Sequence, residues 1–516
     1  MSALHDIIRT VTQNGMTKRE LFSHFGDPNS RQHKLVLGIT DDTFKTDDEA
    51  ITVLYGSVDA STKRMFKQLK YNVRGKLLGL LFTMPDEEGA LNDRRKAHAE
   101  ALKLAAAGKI LFINSYTDTA EDVLIQAVRK AREHEFFDVD YHALYNLQSH
   151  YSTQGEQRKR VDARQRMEYL MEMLNAEMNA REHFNHFTTI ANTTTGYSAR
   201  AAIIAEEVVE NLRMLAKDYP CFSIRNKYRK AEMFRWMLHD DYEKALESVR
   251  GTIELLEEYP RFATQTLYAD SYMQSGYCHY ELQDYQTALA ENTRALELSK
   301  PQTYNWANVL KLRLLTLLRM EDFPAFMAEL RTAYEYIGNG GGTDFWREQI
   351  QLLHGYFAWL CRAMQRTGVE VAPAALEIAA QFSINDFMIA SPNITADKKG
   401  TNVARVILDV MFLLIDNPDG AEVRLEALLQ YRKQYLRGRQ FARTSAFIHL
   451  VELLFTNNFD MQTVLDLGKK ERALLNPSVK NKNCVSESFE PIPLLRTWGF
   501  AEAIYPAYAV HSSVAV

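Results

Sequence analysis

An aspartate followed by an aromatic residue recurs three times in the middle of the chain, at Asp241-Tyr242, Asp284-Tyr285 and Asp322-Phe323. Each pair lies between two stretches whose apolar residues recur every three or four positions, the spacing typical of an amphipathic helix. The intervals between successive aromatic residues are 43 and 38 residues. A period of this size predicts an array of helical pairs, in which each pair buries its apolar face against the next.

The segment 270–301 contains the clearest unit. Gly276 lies where two helices would approach each other closely, Tyr285 and Ala288 begin the second helix, and Ala295 follows Ala288 after seven residues. This segment resembles a tetratricopeptide repeat. The resemblance implies an all-α fold of helix-turn-helix units, stacked into a right-handed superhelix with a concave, ligand-binding face.

The two neighbouring units keep this pattern in part. Met233 and Leu314 stand at the position of the glycine, and Phe326 stands at the position of the first alanine. Both intervals exceed the family's usual period of about 34 residues. The resemblance covers about a fifth of the chain.

Helical periodicity continues on both sides of these units without the motif. Further helical pairs are predicted at 141–153 with 161–180, 345–364 with 373–382, 401–415 with 420–435, and 443–456 with 460–475. The total is about ten pairs of roughly 40 residues each. Because the terminal units of an array must shield its apolar ends, we expect a helical cap in 1–85, the repeat array in 86–370, and helical pairs with a capping tail in 371–516.

Composition and motifs disfavour several classes of function. The formal net charge is −5, so the chain as a whole does not attract polyanions. Four scattered cysteines without a CxxC pair indicate neither a disulfide framework nor a zinc site, and no apolar run reaches 18 residues. We expect a cytoplasmic protein without a membrane span. No common catalytic signature occurs, so we expect no enzyme, no metal and no cofactor.

Two weak patterns keep an enzyme or ligand sensor open as an alternative. His183 and His186 have the spacing of one helix face and would suit a metal, but no second His or Cys cluster accompanies them, so we favour ordinary histidines. The loop 338–342, GNGGG, precedes a helix start, where phosphates often bind. It lacks the Lys-Ser/Thr of a phosphate-binding loop, so we favour a connector.

The resemblance also implies which side chains line the concave face. If the repeat geometry holds, the first helices of the three units direct a mixed basic and aromatic set into the groove: Lys227, Lys230, Tyr277, Tyr280, Asn308 and Lys311. Phe234 and Leu315 stand where the family's carboxylate clamp has polar side chains, so that clamp is not predicted. We predict a scaffold or adaptor that binds another protein or peptide. The alternatives are a ligand- or nucleic-acid-binding regulator, an enzyme with a non-motif active site, or simple packing of these residues between helices.

Two stretches are strongly basic. In 61–84 there are six basic residues and no acid, and a helix would place Lys63, Lys67, Lys70 and Arg74 along one side. Phe66, Leu69, Val73 and Leu77 would follow another side. The second stretch, 430–443, interleaves arginines with aromatic residues. Such patches suit nucleic acid or an anionic membrane surface, but solvated helix faces are the simpler interpretation, and we expect no nucleic-acid partner.

Overall fold

The computed structural model describes residues 2–13, 16–80, 93–193, 199–390, 401–416, 422–436, 441–476 and 490–505. Over these ranges the regular structure is α-helical, and no β-strand occurs within them. The prediction of an all-α fold is therefore confirmed. The chain divides into two compact units, 1–174 and 175–516, which differs from the three regions expected from the sequence.

The N-terminal part of the first unit has a core of its own. Its helices are α1 (Ser2–Gln13), α2 (Lys18–Ser23), α3 (Arg31–Thr40), α4 (Asp47–Tyr55) and α5 (Ala60–Leu80). Short helices begin sharply here because capping boxes hold their first turns, one between Thr17 and Glu20 and one between Thr46 and Glu49. The buried residues of α5 pack against α1, α3 and α4, so α5 is the central support of this part.

Longer helices follow: α6 (Asp93–Ile113), α7 (Thr117–Glu133), α8 (Phe137–Thr153) and α9 (Gln157–Thr193). Asp140 in α8 is almost fully buried and lies 3.4 Å from Arg132 of α7 and 3.3 Å from Arg166 of α9. Burial nevertheless raises the pKa of Asp140, because the loss of hydration outweighs the two guanidinium groups. This carboxyl group joins three consecutive helices.

The second unit continues with helical pairs. Its first helices are α10 (Ala199–Asp218), α11 (Phe222–Leu238), α12 (Tyr242–Glu258), α13 (Gln265–Glu281), α14 (Tyr285–Leu298), α15 (Tyr304–Arg319) and α16 (Phe323–Gly338). Then follow α17 (Asp344–Arg366), α18 (Pro373–Ala380), α19 (Ile384–Ala390), α20 (Thr401–Asp416), α21 (Glu422–Tyr435), α22 (Ala442–Thr456), α23 (Met461–Leu467), α24 (Lys469–Leu474) and α25 (Leu494–Ile504). Most of these helices pack on their neighbours in the chain, as expected for a helical repeat.

One turn closes several of the helical pairs. In this turn a residue with positive φ ends the first helix. The backbone NH of the residue after it donates to the carbonyl oxygen of the residue five positions before that donor, which is the hydrogen bond of a Schellman motif. Gln283 has φ +64°, and the Asp284 NH lies 2.9 Å from the His279 oxygen. The same turn recurs at Ser115, Glu135, Asp240, Glu321 and Asn458.

This turn explains the aspartate-aromatic junctions. The aspartate bonds back into the first helix through its NH, and its carboxylate caps the second helix. Asp241, Asp284 and Asp322 accept hydrogen bonds from the third backbone NH of α12, α14 and α16, at 3.2, 3.3 and 3.2 Å. The residue therefore ends one helix and begins the next. The aromatic residue that follows is the first residue of the second helix.

Close approach of α13 and α14 requires the glycine of the clearest unit. A Cβ atom at Gly276 would lie 2.4 Å from Oδ1 of Asn292, closer than side-chain contacts allow. Asn292 is fully buried at this point. The predicted role of Gly276 is therefore confirmed. In the C-terminal part, the predicted helix 460–475 is two short helices, α23 and α24, which meet at Gly468.

Candidate peptide-binding face

The first helices of three successive pairs present a mixed basic and aromatic surface. We define the first-helix face as the surface of α11, α13 and α15 that carries Lys227, Lys230, Asp270, Tyr277, Asn308 and Lys311. All six residues are partly exposed. On each helix they are three or seven positions apart, which places them on one side because a helix turns 100° per residue.

Side-chain contacts show that these helix faces are adjacent. The Lys230 ammonium of α11 lies 2.5 Å from the Asp270 carboxylate of α13. The Arg319 guanidinium of α15 donates to the Tyr280 hydroxyl of α13 at 3.0 Å. These contacts link α11 to α13 and α13 to α15.

Two of the predicted groove residues are held by neighbouring groups. The Lys227 ammonium donates to the Ser223 hydroxyl, one turn earlier on α11, at 2.6 Å. The Tyr277 ring packs edge-on against the Tyr242 ring, with 6.1 Å between their centroids. The structure thus places Tyr277 at the first-helix face, where its side chain is partly exposed.

Lys311 differs from the other lysines of this face. It is half-buried, and no described residue forms an ion pair or hydrogen bond with it. Burial lowers the pKa of Lys311 to about 8, since no carboxylate compensates the lost hydration. Asn308, one turn earlier on α15, is also half-buried. Lys311 is therefore a partly dehydrated cation that lacks a counter-charge.

Tyr280 does not lie where the sequence analysis placed it. Its ring is fully buried and packs 5.6 Å from the Tyr285 ring, so it is not available to a partner. The helical spacing places Tyr280 on the same side of α13 as Tyr277, but Arg319 and the surrounding core cover it. We therefore leave Tyr280 out of the candidate face.

A segment of the chain itself lies at the C-terminal end of α15. Residues 490–493 are not helical, and the Arg319 guanidinium donates to the Glu490 backbone oxygen. The Glu490 carboxylate lies 2.9 Å from the Arg443 guanidinium of α22 in the interior. Arg496 forms a second link to the end of α15, at 3.0 Å from Glu321. Arg319 and Glu490 were not predicted as contact residues, although the two prolines of the segment 490–493 (EPIP) are visible in the sequence.

The basic helix α5 has the predicted two sides. Its apolar stripe is buried, whereas Lys63, Lys67 and Arg74 are exposed. Lys70 pairs with Asp47 of α4, and Lys63 lies 3.8 Å from Asp48. Acidic residues of α4 thus partly neutralise the patch, which the sequence of α5 alone did not show.

The second basic stretch is also partly paired. Arg432 lies 3.1 Å from Glu452, and Arg443 forms the interior pair with Glu490. Arg437 and Arg439 lie outside the described residues. Arg432 and Arg443 therefore link helices of this unit.

The described part of the structure gives no support to a metal site at His183 and His186 or to a phosphate site in the loop 338–342. Among the described residues, no group of three or more His, Cys, Asp or Glu side chains is arranged to hold a metal ion, and this includes the surroundings of His183 and His186. The loop 338–342 connects α16 to α17, and its glycines at 340 and 342 have positive φ. The Thr343 side chain caps α17 by accepting from the Trp346 NH.

None of the described helices combines the length and the apolar composition that crossing a bilayer requires. No protein-family model matches the chain. No curated protein matches it in sequence either. The assignment of a function therefore depends on the residues and their geometry.

Proposed function

We propose that the protein is an interaction scaffold whose first-helix face binds an extended segment of another protein. The observation that supports this most is Lys311, a half-buried lysine without a counter-charge in the part of the structure that is described. A buried charge without a partner costs free energy of folding, so such a residue is a candidate for a binding role. A carboxylate of the partner would supply the missing charge.

The neighbouring segment 490–493 supports the same proposal. Arg319 is eight residues after Lys311 on α15, which corresponds to about 12 Å along the helix and a rotation of about 80° around it. Arg319 itself already holds non-helical backbone, because its guanidinium group donates to the Glu490 carbonyl oxygen. A partner segment of about four extended residues spans an equal distance. Asn308, Lys311 and Tyr277 then offer it polar and aromatic contacts.

The finer points of the sequence analysis belong to this proposal. We infer that the stacked pairs form a right-handed superhelix of the tetratricopeptide type, supported by the unit 270–301 and its junction at Asp284. We also infer a cytoplasmic location, supported by Cys278 and Cys361, which are buried as free thiols. Catalysis is not part of the proposal.

The test compares two double variants in affinity purification from cells of the source organism. The first, Lys230→Glu with Lys311→Glu, reverses charge on the first-helix face. The matched control, Arg250→Glu with Lys300→Glu, makes the same charge change at exposed residues outside that face. We expect mass spectrometry to show one or more proteins that co-purify with the parent and the control, but not with the first variant.

Circular dichroism must show that both variants keep the helical content of the parent. An interaction set that is equal for the parent and both variants would overturn the role of the first-helix face. Equal losses in both variants would also overturn it, since they would reflect net charge rather than this surface.

A further inference from the structure

A cavity of about 150 Å³ lies between α16, α17 and α18. Its inner lining is apolar and buried, and consists of Met327, Leu330 and Ile378. A cavity of about this volume in another protein accommodates benzene. None of the lining residues belongs to the first-helix face. The space therefore suits a small molecule with an apolar part of up to about six carbon atoms.

Two hydrogen bonds fix the polar wall of this cavity. The ring of His354 is buried. Its Nε2 atom lies 3.0 Å from the Ile378 backbone oxygen, and its Nδ1 atom lies 2.9 Å from the Tyr334 hydroxyl oxygen. A carbonyl oxygen only accepts, so Nε2 carries the proton and Nδ1 of the neutral ring accepts from Tyr334. Burial lowers the pKa of His354, which favours this neutral form. The Tyr334 oxygen thus keeps its lone pairs for a donor group in the cavity.

Opposite charges line the entrance. Arg331 of α16 and Glu377 of α18 both line the cavity and both are exposed. Neither forms an ion pair with the other, or with any other residue that the structure describes. Two opposite charges that share one small cavity without pairing are suited to a ligand that carries both charges itself. A ligand with a single charge would meet one attractive and one repulsive group.

We propose that this cavity binds a small zwitterion, namely a free α-amino acid with an apolar side chain. Its carboxylate would bind Arg331, its ammonium group would bind Glu377 and the Tyr334 oxygen, and its side chain would lie against Leu330 and Ile378. This site is independent of the proposed scaffold function. Because the ligand would connect α16 with α18, it would stabilise the pairing of these helices.

Isothermal titration calorimetry on the full chain tests the proposal with three probes: L-leucine, N-acetyl-L-leucine and L-leucinamide. The acetyl compound lacks the positive charge, and the amide lacks the negative charge. We expect L-leucine to bind at least about tenfold more tightly than either analogue, the ratio that corresponds to one charged hydrogen bond.

Two variants assign the charges. Arg331→Gln should weaken L-leucine at least about tenfold but should not weaken L-leucinamide, since the amide has no carboxylate to lose and its ammonium group is repelled by Arg331. Glu377→Gln should weaken L-leucine but should not weaken N-acetyl-L-leucine, which has no ammonium group and whose carboxylate is repelled by Glu377. Both residues are exposed, so these variants should fold. The control is Glu335→Gln, which is exposed on α16 and does not line the cavity.

The proposal is overturned if L-leucine, L-methionine and L-phenylalanine all fail to bind at millimolar concentration. It is also overturned if L-leucine binds with the same affinity to Arg331→Gln, Glu377→Gln and the parent, because binding would then occur elsewhere. Loss of scaffold interactions in the first-helix face variant has no bearing on these outcomes.

Discussion

Arg443 and Glu490 form an ion pair with 2.9 Å between Nη2 and Oε2, and their side chains are 7% and 9% exposed. Glu490→Gln should destabilise the second unit by about 3 kcal/mol, because it removes the negative charge of a buried ion pair. Arg443→Met with Glu490→Leu should recover most of this loss, since both charges of the pair are then removed. Urea denaturation followed by circular dichroism measures the free energy of unfolding of both variants. A Glu490→Gln variant that is as stable as the parent would contradict the prediction.

Lys311→Met should stabilise the protein at pH 7 by about 1 kcal/mol or more. Folding lowers the pKa of Lys311 to about 8, so the unfolded chain holds this proton more tightly. The stability of the parent should therefore rise as the pH increases from 8 towards the ordinary lysine value, whereas Lys311→Met should lack this contribution. Urea denaturation at pH 7 and pH 9.5 tests this, with the exposed Lys300→Met as control. A destabilised Lys311→Met variant would show that the ammonium group has a partner in the folded state.

His354 should make the protein less stable in mild acid. Its pKa is lowered in the folded state, mainly by burial, so the unfolded chain takes up a proton first as the pH falls below the ordinary histidine value. Stability therefore decreases from that value down to the lowered pKa. The loss between pH 7 and pH 5.5 should be smaller in His354→Gln than in the parent. The exposed His142→Gln is the control, and equal losses in all three proteins would refute the assignment.

Gly276→Ala should destabilise the clearest helical pair, although alanine normally favours helices. The new methyl group would collide with the Asn292 amide, at a cost of about 1–3 kcal/mol. Adding Asn292→Ala should restore much of the stability by making room. Gly75→Ala in α5 is the control, because no atom lies within 4 Å of its Cβ position, and it should stabilise the chain slightly. The explanation fails if Gly276→Ala alone is as stable as the parent.

The basic helix α5 should not bind nucleic acid. Lys63 and Lys70 lie beside acidic residues of α4, and the net charge of −5 opposes non-specific binding. A mobility-shift titration with single- and double-stranded DNA and RNA should show no complex with the parent at low salt. A complex that is lost with salt, and lost when Lys63, Lys67, Lys70 and Arg74 are changed to Gln, would contradict this expectation.

Features that depend on nearby residues were predictable from the sequence. The junctions at Asp241, Asp284 and Asp322 can be recognised from the local sequence, because each aspartate caps the helix that it precedes. The apolar stripe of α5 was predictable for a similar reason, since periodicity alone determines which side is buried.

Features that join distant parts of the chain were not predictable. Tyr280 was placed in the groove because its own helix directs it there, but Arg319, 39 residues later, covers its hydroxyl. The pairing of α5 with Asp47 and the contact of Arg319 with Glu490 also join segments that are distant in the chain, and neither segment's own sequence indicates the contact. The entrance of the cavity, with Arg331 and Glu377, depends on the packing of α16 against α18.

The contact between Arg319 and Glu490 has a consequence for synthesis on the ribosome. Most helical pairs of the chain pack against helices that are adjacent in sequence, so they can fold soon after they leave the ribosome. The end of α15 is different, because 171 residues separate Arg319 from the backbone oxygen that it binds. During translation at about 5–20 residues per second, this surface stays uncovered for roughly 10–30 seconds. Until residue 490 has emerged, the Arg319 guanidinium group therefore lacks the backbone carbonyl that it binds in the finished protein.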